Sequence, residues 1–287
     1  MTGIVIPDGG TIGSASDTDA LTISSSGAVT FVPSTPLSHR NLIINGDFRI
    51  NQRSATSRTQ TSSAYNYDRW YYDGTYLYQG VEDKNVRNGT FTLSWTDSGS
   101  DITAQYVVST DTTAGDGPDS GLTWTSVSNG GQITVNETTE YSKHLWIRFG
   151  GTPANLSKVQ LEEGSVATPF EHRSYADELQ RCQRYFEILT INYIAQFKDT
   201  GNVQAPITFS KKRRTLVNAD VTYVGTPQYG NASTNSSTLG FHSTKINPSD
   251  QTFTVYMNNV TGVSFSENDC IAFNHNNAHT IEIDVEL

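Results

Sequence analysis

Phe91-Thr-Leu-Ser-Trp-Thr96 alternates large apolar side chains with small polar ones. Successive side chains of an extended chain point to opposite faces, so this stretch reads as a half-buried antiparallel strand with Phe91, Leu93 and Trp95 turned to a core. Short apolar runs of the same kind surround it at residues 42–44, 68–72, 76–78, 102–108, 122–127, 133–135, 144–149 and 156–161. Turns rich in Gly, Ser, Asn and Asp separate them. About nine short strands punctuated in this way predict a two-sheet sandwich of the jelly-roll kind over residues 41–173.

Different patterns flank that region. Ile4-Val-Ile6, Leu21-Thr-Ile23 and Ala28-Val-Thr-Phe31 predict three very short strands within residues 1–40. A segment so small buries little apolar surface alone, whereas three copies wound about one axis would bury Ile4, Ile6, Leu21, Ile23, Val29 and Phe31 against each other. These residues are therefore the candidates for trimerisation or for docking on a larger particle, and a homotrimer is the expected assembly. Ser174 and Asp177 form an S-x-x-D cap, and Leu179, Cys182, Phe186 and Leu189 follow at helical spacing. A connecting helix over 175–186, in a segment 174–190, is expected. Residues 191–287 resume the strand-and-turn pattern, at 193–197, 207–209, 221–224, 239–242, 253–257, 262–265, 269–273 and 281–287, and predict a second β domain.

The composition agrees with a mainly β chain. Gly (23), Tyr (14) and Phe (12) are abundant among 287 residues and only 17% are charged, a profile that favours pleated sheets over helices. Nineteen basic against 29 acidic residues give a net charge of -10, whose field repels phosphate backbones and anionic headgroups, so nucleic acid is not an expected partner. Lys211-Lys-Arg-Arg214 reads as a solvated basic turn or a contact with an acidic neighbour. No run of ~18 apolar residues is present to span a membrane, and Met1 to Pro7 lacks the basic and apolar segments of a secretory leader. Cys182 and Cys270 stand in no metal-binding spacing and read as buried free thiols.

Candidate chemistry is sparse. No G-x-S-x-G elbow, H-E-x-x-H helix, Walker A loop or dinucleotide fingerprint occurs, and Glu162 and Glu163, adjacent on a strand, point to opposite faces and cannot flank one glycosidic bond. An enzyme is not expected. Six tyrosines and Trp70 crowd residues 65–78. Aromatic faces stack on the C–H faces of sugars, so Tyr71, Tyr72, Tyr76 and Tyr78 are candidates for a glycan patch; the alternative is that the same rings fill the sandwich core. Asp97, Asp101, Asp111, Asp116 and Asp119 lie in polar loops that would suit either a structural Ca²⁺ or plain solvation. His275 and His279 mark a polar loop tip that in a trimer would offer imidazoles to a metal. No cofactor is otherwise expected.

Four stretches carry a resemblance: Asn41-Leu-Ile-Ile-Asn-Gly-Asp-Phe-Arg-Ile-Asn-Gln-Arg53, Asp68-Arg-Trp-Tyr71, Val159-Gln-Leu-Glu-Glu-Gly-Ser-Val-Ala-Thr-Pro-Phe-Glu-His-Arg173 and Ala176-Asp-Glu-Leu-Gln-Arg-Cys-Gln-Arg-Tyr-Phe186. Together they resemble the recurrent signature of tail-fibre and other fibre-like virion proteins of tailed bacteriophages. The resemblance covers residues 41–190 strongly and the remainder weakly. It implies a middle region similar to galactose-binding jelly-roll carbohydrate modules, followed by the helix and a terminal β domain. It further implies a trimeric fibre or spike subunit, assembled in the host bacterial cytoplasm, located on the virion surface and bound to phage tail or capsid proteins and to host-surface carbohydrate. The long adaptor domain and triple-stranded shaft of many tail fibres have no counterpart in the pattern, which raises an alternative, a capsid decoration or head-fibre protein docked on the shell.

Overall fold

The computed structural model describes residues 6–7, 9–14, 17–23, 25 and 29–31, residues 39–109 and 121–190, and the strands that follow. The described chain is mainly β, with several antiparallel sheets and one α-helix. By its internal contacts it forms two compact units. The first takes the described residues of Met1–Asp47, Tyr76–Asp111 and Gly121–Arg173, the second those of Phe48–Thr75 and Ser174–Leu287. Residues 48–75, which the sequence pattern sets inside the 41–173 region, thus group with the helix and the strands after it.

In the first unit, β1 (Thr11–Ser14), β2 (Asp17–Ile23) and β3 (Val29–Phe31) form an antiparallel sheet, with Ile12 opposite Leu21 and Leu21 opposite Phe31. The first strand begins later than the expected 4–6. Pro7 has no N–H for a ladder, and its carbonyl accepts from Gly10 N at 2.7 Å in a turn that delays the strand to Thr11. Ile6 precedes that turn as irregular chain, and Ile4 lies outside the described residues. Leu21 and Ile23 are half-buried; the side chains of Val29 and Phe31 lie outside the description.

The larger part of this unit has two sheets. β7 (Gly89–Asp97) runs between β10 (Gly131–Val135) and β12 (Leu156–Glu163). In the other, β6 (Leu77–Val81), β11 (His144–Gly150), β8 (Thr103–Ser109) and β9 (Thr125–Val127) are neighbours in that order. Phe91, Leu93 and Trp95 are buried as the alternation requires, together with Ile133, Leu161, Leu77, Leu145, Ile147 and Phe149. The rings of Trp95 and Phe149 meet edge to face at 5.5 Å and join the two sheets. Burial of each such side chain stabilises by roughly 1.5–3 kcal/mol. Thr92 departs from the pattern: it is buried, with its hydroxyl donating to Gly164 O at 2.8 Å.

Residues 42–44 are irregular where a strand is expected, because side chains replace a ladder. Asn41 Oδ1 accepts from Ile43 N at 2.9 Å and Leu161 N at 3.1 Å, while Asn41 Nδ2 donates to Val159 O at 3.0 Å. Gln79 brackets Ile44, accepting from its N–H and donating to its carbonyl, both at 2.8 Å. The register of β12 slips between Ser157 and Gln160, where Val159 N donates to Gly46 O at 2.8 Å. A Cβ on Gly46 would lie 2.2 Å from Val159 O, so only glycine permits this approach.

In the second unit, β4 (Ala64–Tyr67) and β5 (Trp70–Tyr72) make a hairpin whose two-residue turn is Asp68-Arg69, with Arg69 at φ 71°. The expected strand 68–72 is shorter for that reason. Asp68 is fully buried and accepts from Gln52 N at 2.7 Å and Gln52 Nε2 at 2.5 Å; Gln52 Nε2 also donates to Phe186 O at 2.9 Å. Burial pushes the Asp68 carboxyl above its ordinary value, against the opposing pull of those hydrogen bonds. Phe48 stacks on Trp70 at 4.7 Å, and the guanidinium of Arg69 lies 3.6 Å from the Tyr185 ring centroid.

The α-helix, α1 (Tyr175–Gln183), opens with the Ser174 hydroxyl accepting from Asp177 N at 3.1 Å. It ends three residues before the expected Phe186. Tyr185 N turns back to Cys182 O, and Phe186 begins β13 (Phe186–Thr190), which pairs with β22 (Thr280–Asp284). Sheet pairing outcompetes a further turn of helix there. β16 (Val221–Val224) lies on the other side of β22. A seven-stranded sheet follows the order β18 (Thr234–Thr238), β17 (Gln228–Asn231), β21 (Cys270–Phe273), β14 (Ile194–Asp199), β15 (Asn202–Thr208), β20 (Thr252–Asn258) and β19 (Gly240–Ile246). Cys182 is buried; the side chain of Cys270 and the expected strand 262–265 lie outside the description.

Asn41→Ala strips three buried backbone groups of their partner and is expected to lower stability by ~2–4 kcal/mol in a denaturant titration. An unchanged midpoint would show that water replaces the carboxamide. A second expectation concerns pH. A carboxyl raised in the folded state binds its proton more tightly there, so its stabilising contribution is complete below about 3.9 and is lost as pH climbs through the raised value. The stability of the wild type relative to Asp68→Asn should therefore fall as melting is measured from about pH 3 towards neutrality, and a rise would contradict the burial argument.

Candidate functional site

The core claims Leu145, Ile147 and Phe149 of β11, so Arg148 projects from the opposite face of its sheet. Register then sets Tyr78 of β6 and Gln105 of β8 on either side of Arg148, and Ser126 of β9 beside Gln105. The guanidinium sits 4.1 Å from the ring centroid of Tyr76 and 4.2 Å from that of Trp124. Its Nε donates to Gln105 Oε1 at 2.8 Å and its Nη1 to the Tyr78 hydroxyl at 3.4 Å. Tyr78 meets Tyr76 edge to face at 6.1 Å and Trp124 at 5.6 Å. Among the described residues Arg148 forms no ion pair; the two rings and two polar groups are its surroundings. A Cβ on Gly150 would lie 3.0 Å from the Tyr76 ring, so glycine lets that ring cross the end of β11.

Beside this patch lies a cavity of about 630 Å³, within the roughly 300–1,000 Å³ range of small-ligand sites. Tyr76 and Trp95 supply its rings, and Asp97, Gln105, Ser126 and Asn129 are among its polar groups. Asp97 is tied into its own loop: Oδ1 accepts from the N–H groups of Gly99 and Ser100 and Oδ2 from Ile102. The Asn129 carboxamide brackets Trp95, accepting from its N–H at 3.0 Å and donating to its carbonyl at 2.8 Å.

The four candidate tyrosines separate. Tyr76 and Tyr78 come together in the first unit, where Tyr78 is buried and Tyr76 half-buried. Tyr71 and Tyr72 belong to the second unit. Tyr71 is buried against Tyr65 with centroids 5.3 Å apart, and Tyr72, half-buried, donates its hydroxyl to Gly74 O at 2.8 Å. Trp124, Arg148 and Gln105 escape sequence reasoning. The signal for Arg148 is a cation breaking the apolar run of residues 145–149, on the side of the strand that also carries the buried Trp146.

The loop carboxylates do other work. Hydrogen bonds from Thr152 and then Asn155 hold the Asp101 carboxyl below the usual aspartate range. No group of three or more His, Cys, Asp or Glu that could hold a metal occurs among the described residues. Asp111, Asp116, Asp119, His275, His279 and Lys211 to Arg214 lie outside them. Glu162 is buried and accepts from Thr168 N at 2.8 Å, whereas Glu163 faces solvent and pairs with Arg87, so the two carboxylates do point apart.

No family model, no curated protein and no solved structure matches the chain.

Proposed function

We propose that the chain is a bacteriophage virion protein, a trimeric fibre or spike subunit that attaches to its particle through the N-terminal segment and binds host-surface glycans through a jelly-roll domain. The observation that carries the binding half is the pair of half-buried rings, Tyr76 and Trp124, held on either side of Arg148 next to a cavity. Half-exposed rings fixed by a cation present the C–H-binding surface that saccharides use at little cost in side-chain entropy. The virion half rests on the likeness of the four quoted stretches to fibre-like proteins. Three weak sites on one trimer, and several trimers on one particle, multiply into useful avidity.

The N-terminal sheet supports attachment. Ile12 on β1 is 49% exposed beside half-buried Leu21 and Ile23, an apolar edge suited to sister chains or to a particle surface. The same edge favours the second reading, capsid decoration. Copy number separates the two, since a decoration protein follows the capsid lattice and a fibre is present in few copies.

Tyr76→Ala and Trp124→Ala should each weaken binding of the purified protein to host cells by about tenfold, one lost stacking contact, with the circular dichroism of the sheets unchanged. Undiminished adsorption by both folded variants would refute the glycan-binding patch.

A further inference from the structure

The cavity bounded by Tyr76 and Trp95 has a polarity that selects among saccharides. Its described lining contains one carboxylate, Asp97, and no Lys, Arg or His. The nearby cation, Arg148, lies against Tyr76 and Trp124, donates its Nε to Gln105 and is not itself among the lining residues. An anionic sugar entering there would meet the Asp97 carboxylate and the field of a chain of net charge -10, with no cation on the wall.

Arg148 also decides which end of Gln105 is presented. Its Nε is a donor, so the carboxamide must turn Oε1 towards it, leaving Nε2 to point towards Ser126, another residue of the cavity lining. Nε2 reaches Ser126 Oγ at 3.5 Å, the outer limit of a hydrogen bond, and so retains donor capacity for a ligand oxygen. Thr103, Ser126 and Ser128 add exposed hydroxyls to the same rim. The arrangement is the half-buried Tyr76 ring beside the largely buried Trp95, one oriented amide donor and a set of hydroxyls, with no cation among the lining residues.

From this we infer that the cavity is the binding site for a neutral saccharide, whose C–H face lies against Tyr76 and whose hydroxyl or ring oxygen accepts from Gln105 Nε2. The inference rests on the glycan-binding reading above and assigns its ligand class. Arg148 acts as a positioning residue that fixes the amide and the Tyr76 ring.

The test is calorimetric titration of the full chain with neutral oligosaccharides of glucose, galactose or mannose and, separately, with uronate- or sialate-containing ones. Two variants accompany it. Gln105→Glu keeps an oxygen for Arg148 but replaces the donor by a carboxylate, and Ser126→Phe, at an exposed position, narrows the mouth. Neutral sugars should bind the wild type and lose about tenfold in affinity in each folded variant, as expected for one lost or blocked polar contact. Preferential binding of the acidic sugars overturns the inference. So does neutral-sugar binding that both variants leave intact, although host-cell adsorption lost in Trp124→Ala would then leave the broader reading standing. Absence of binding to every sugar and to host cells overturns both.

Discussion

Parity along β11 is the constraint from which the first unit follows. Leu145, Ile147 and Phe149 are committed to the interior, where Phe149 meets Trp95 across the two sheets. Once that face is occupied, Arg148 has one direction left, and the antiparallel register aligns it with Tyr78 and Gln105. A slip of one residue would drive the arginine into the core and the aliphatic side chains out of it. The packing on the face of Leu145, Ile147 and Phe149 and the row on the other face, where Trp146 and Tyr78 are also buried, are therefore one decision. A lost core contact disturbs the patch even though no patch residue is touched.

The same logic explains which parts of the chain could be read beforehand. The alternation at Phe91, Leu93 and Trp95 names a strand because period two is a local property, and the Ser174 cap is legible because its partner, Asp177 N, is three residues away. Residues 42–44 look like a strand by composition, but their backbone is satisfied by Asn41, Gln79, Arg173 and the Leu161 carbonyl, and Gln79 is 35 residues distant from Ile44. The helix ends early because Phe186 pairs with Asp284 at the far end of the chain. The patch was half legible: tyrosine density pointed to Tyr76 and Tyr78, but Gln105 and Tyr78 are 43 and 70 residues from Arg148. No local pattern links such partners. Tyr71 and Tyr72 shared the density without sharing the place.

Two devices for buried polar groups recur in both units, and the second unit also brackets backbone with carboxamides, Asn51 on Ala55 and Asn66 on Thr61. In the first, carboxamides stand in for missing strands: Asn41 on Val159 and Leu161, Gln79 on Ile44, and Asn129 on Trp95. Each presents a donor and an acceptor in the spacing of a peptide group, so it can complete a ladder without burying a charge. In the second, arginines lie on rings, Arg69 on Tyr185 and Arg53 on Phe186, and Arg53 also reaches Asp284 at 2.7 Å. A guanidinium on an aromatic face keeps its edge for hydrogen bonds while its plane is shielded, which lowers the desolvation cost of bringing it inside.

Arg148 brings both devices together in one place. Its plane is covered by Tyr76 and Trp124 as in the second unit, and its edge grips a carboxamide as in the first. The consequence is electrostatic as well as mechanical. A cation whose faces are occupied by rings and whose Nε is occupied by Gln105 fixes the orientation of that carboxamide as well as the positions of the rings. In a chain with ten more acidic than basic residues, this cation lies between Tyr76 and Trp124 and forms no ion pair among the described residues, so rings and a carboxamide stand where a carboxylate would otherwise be needed.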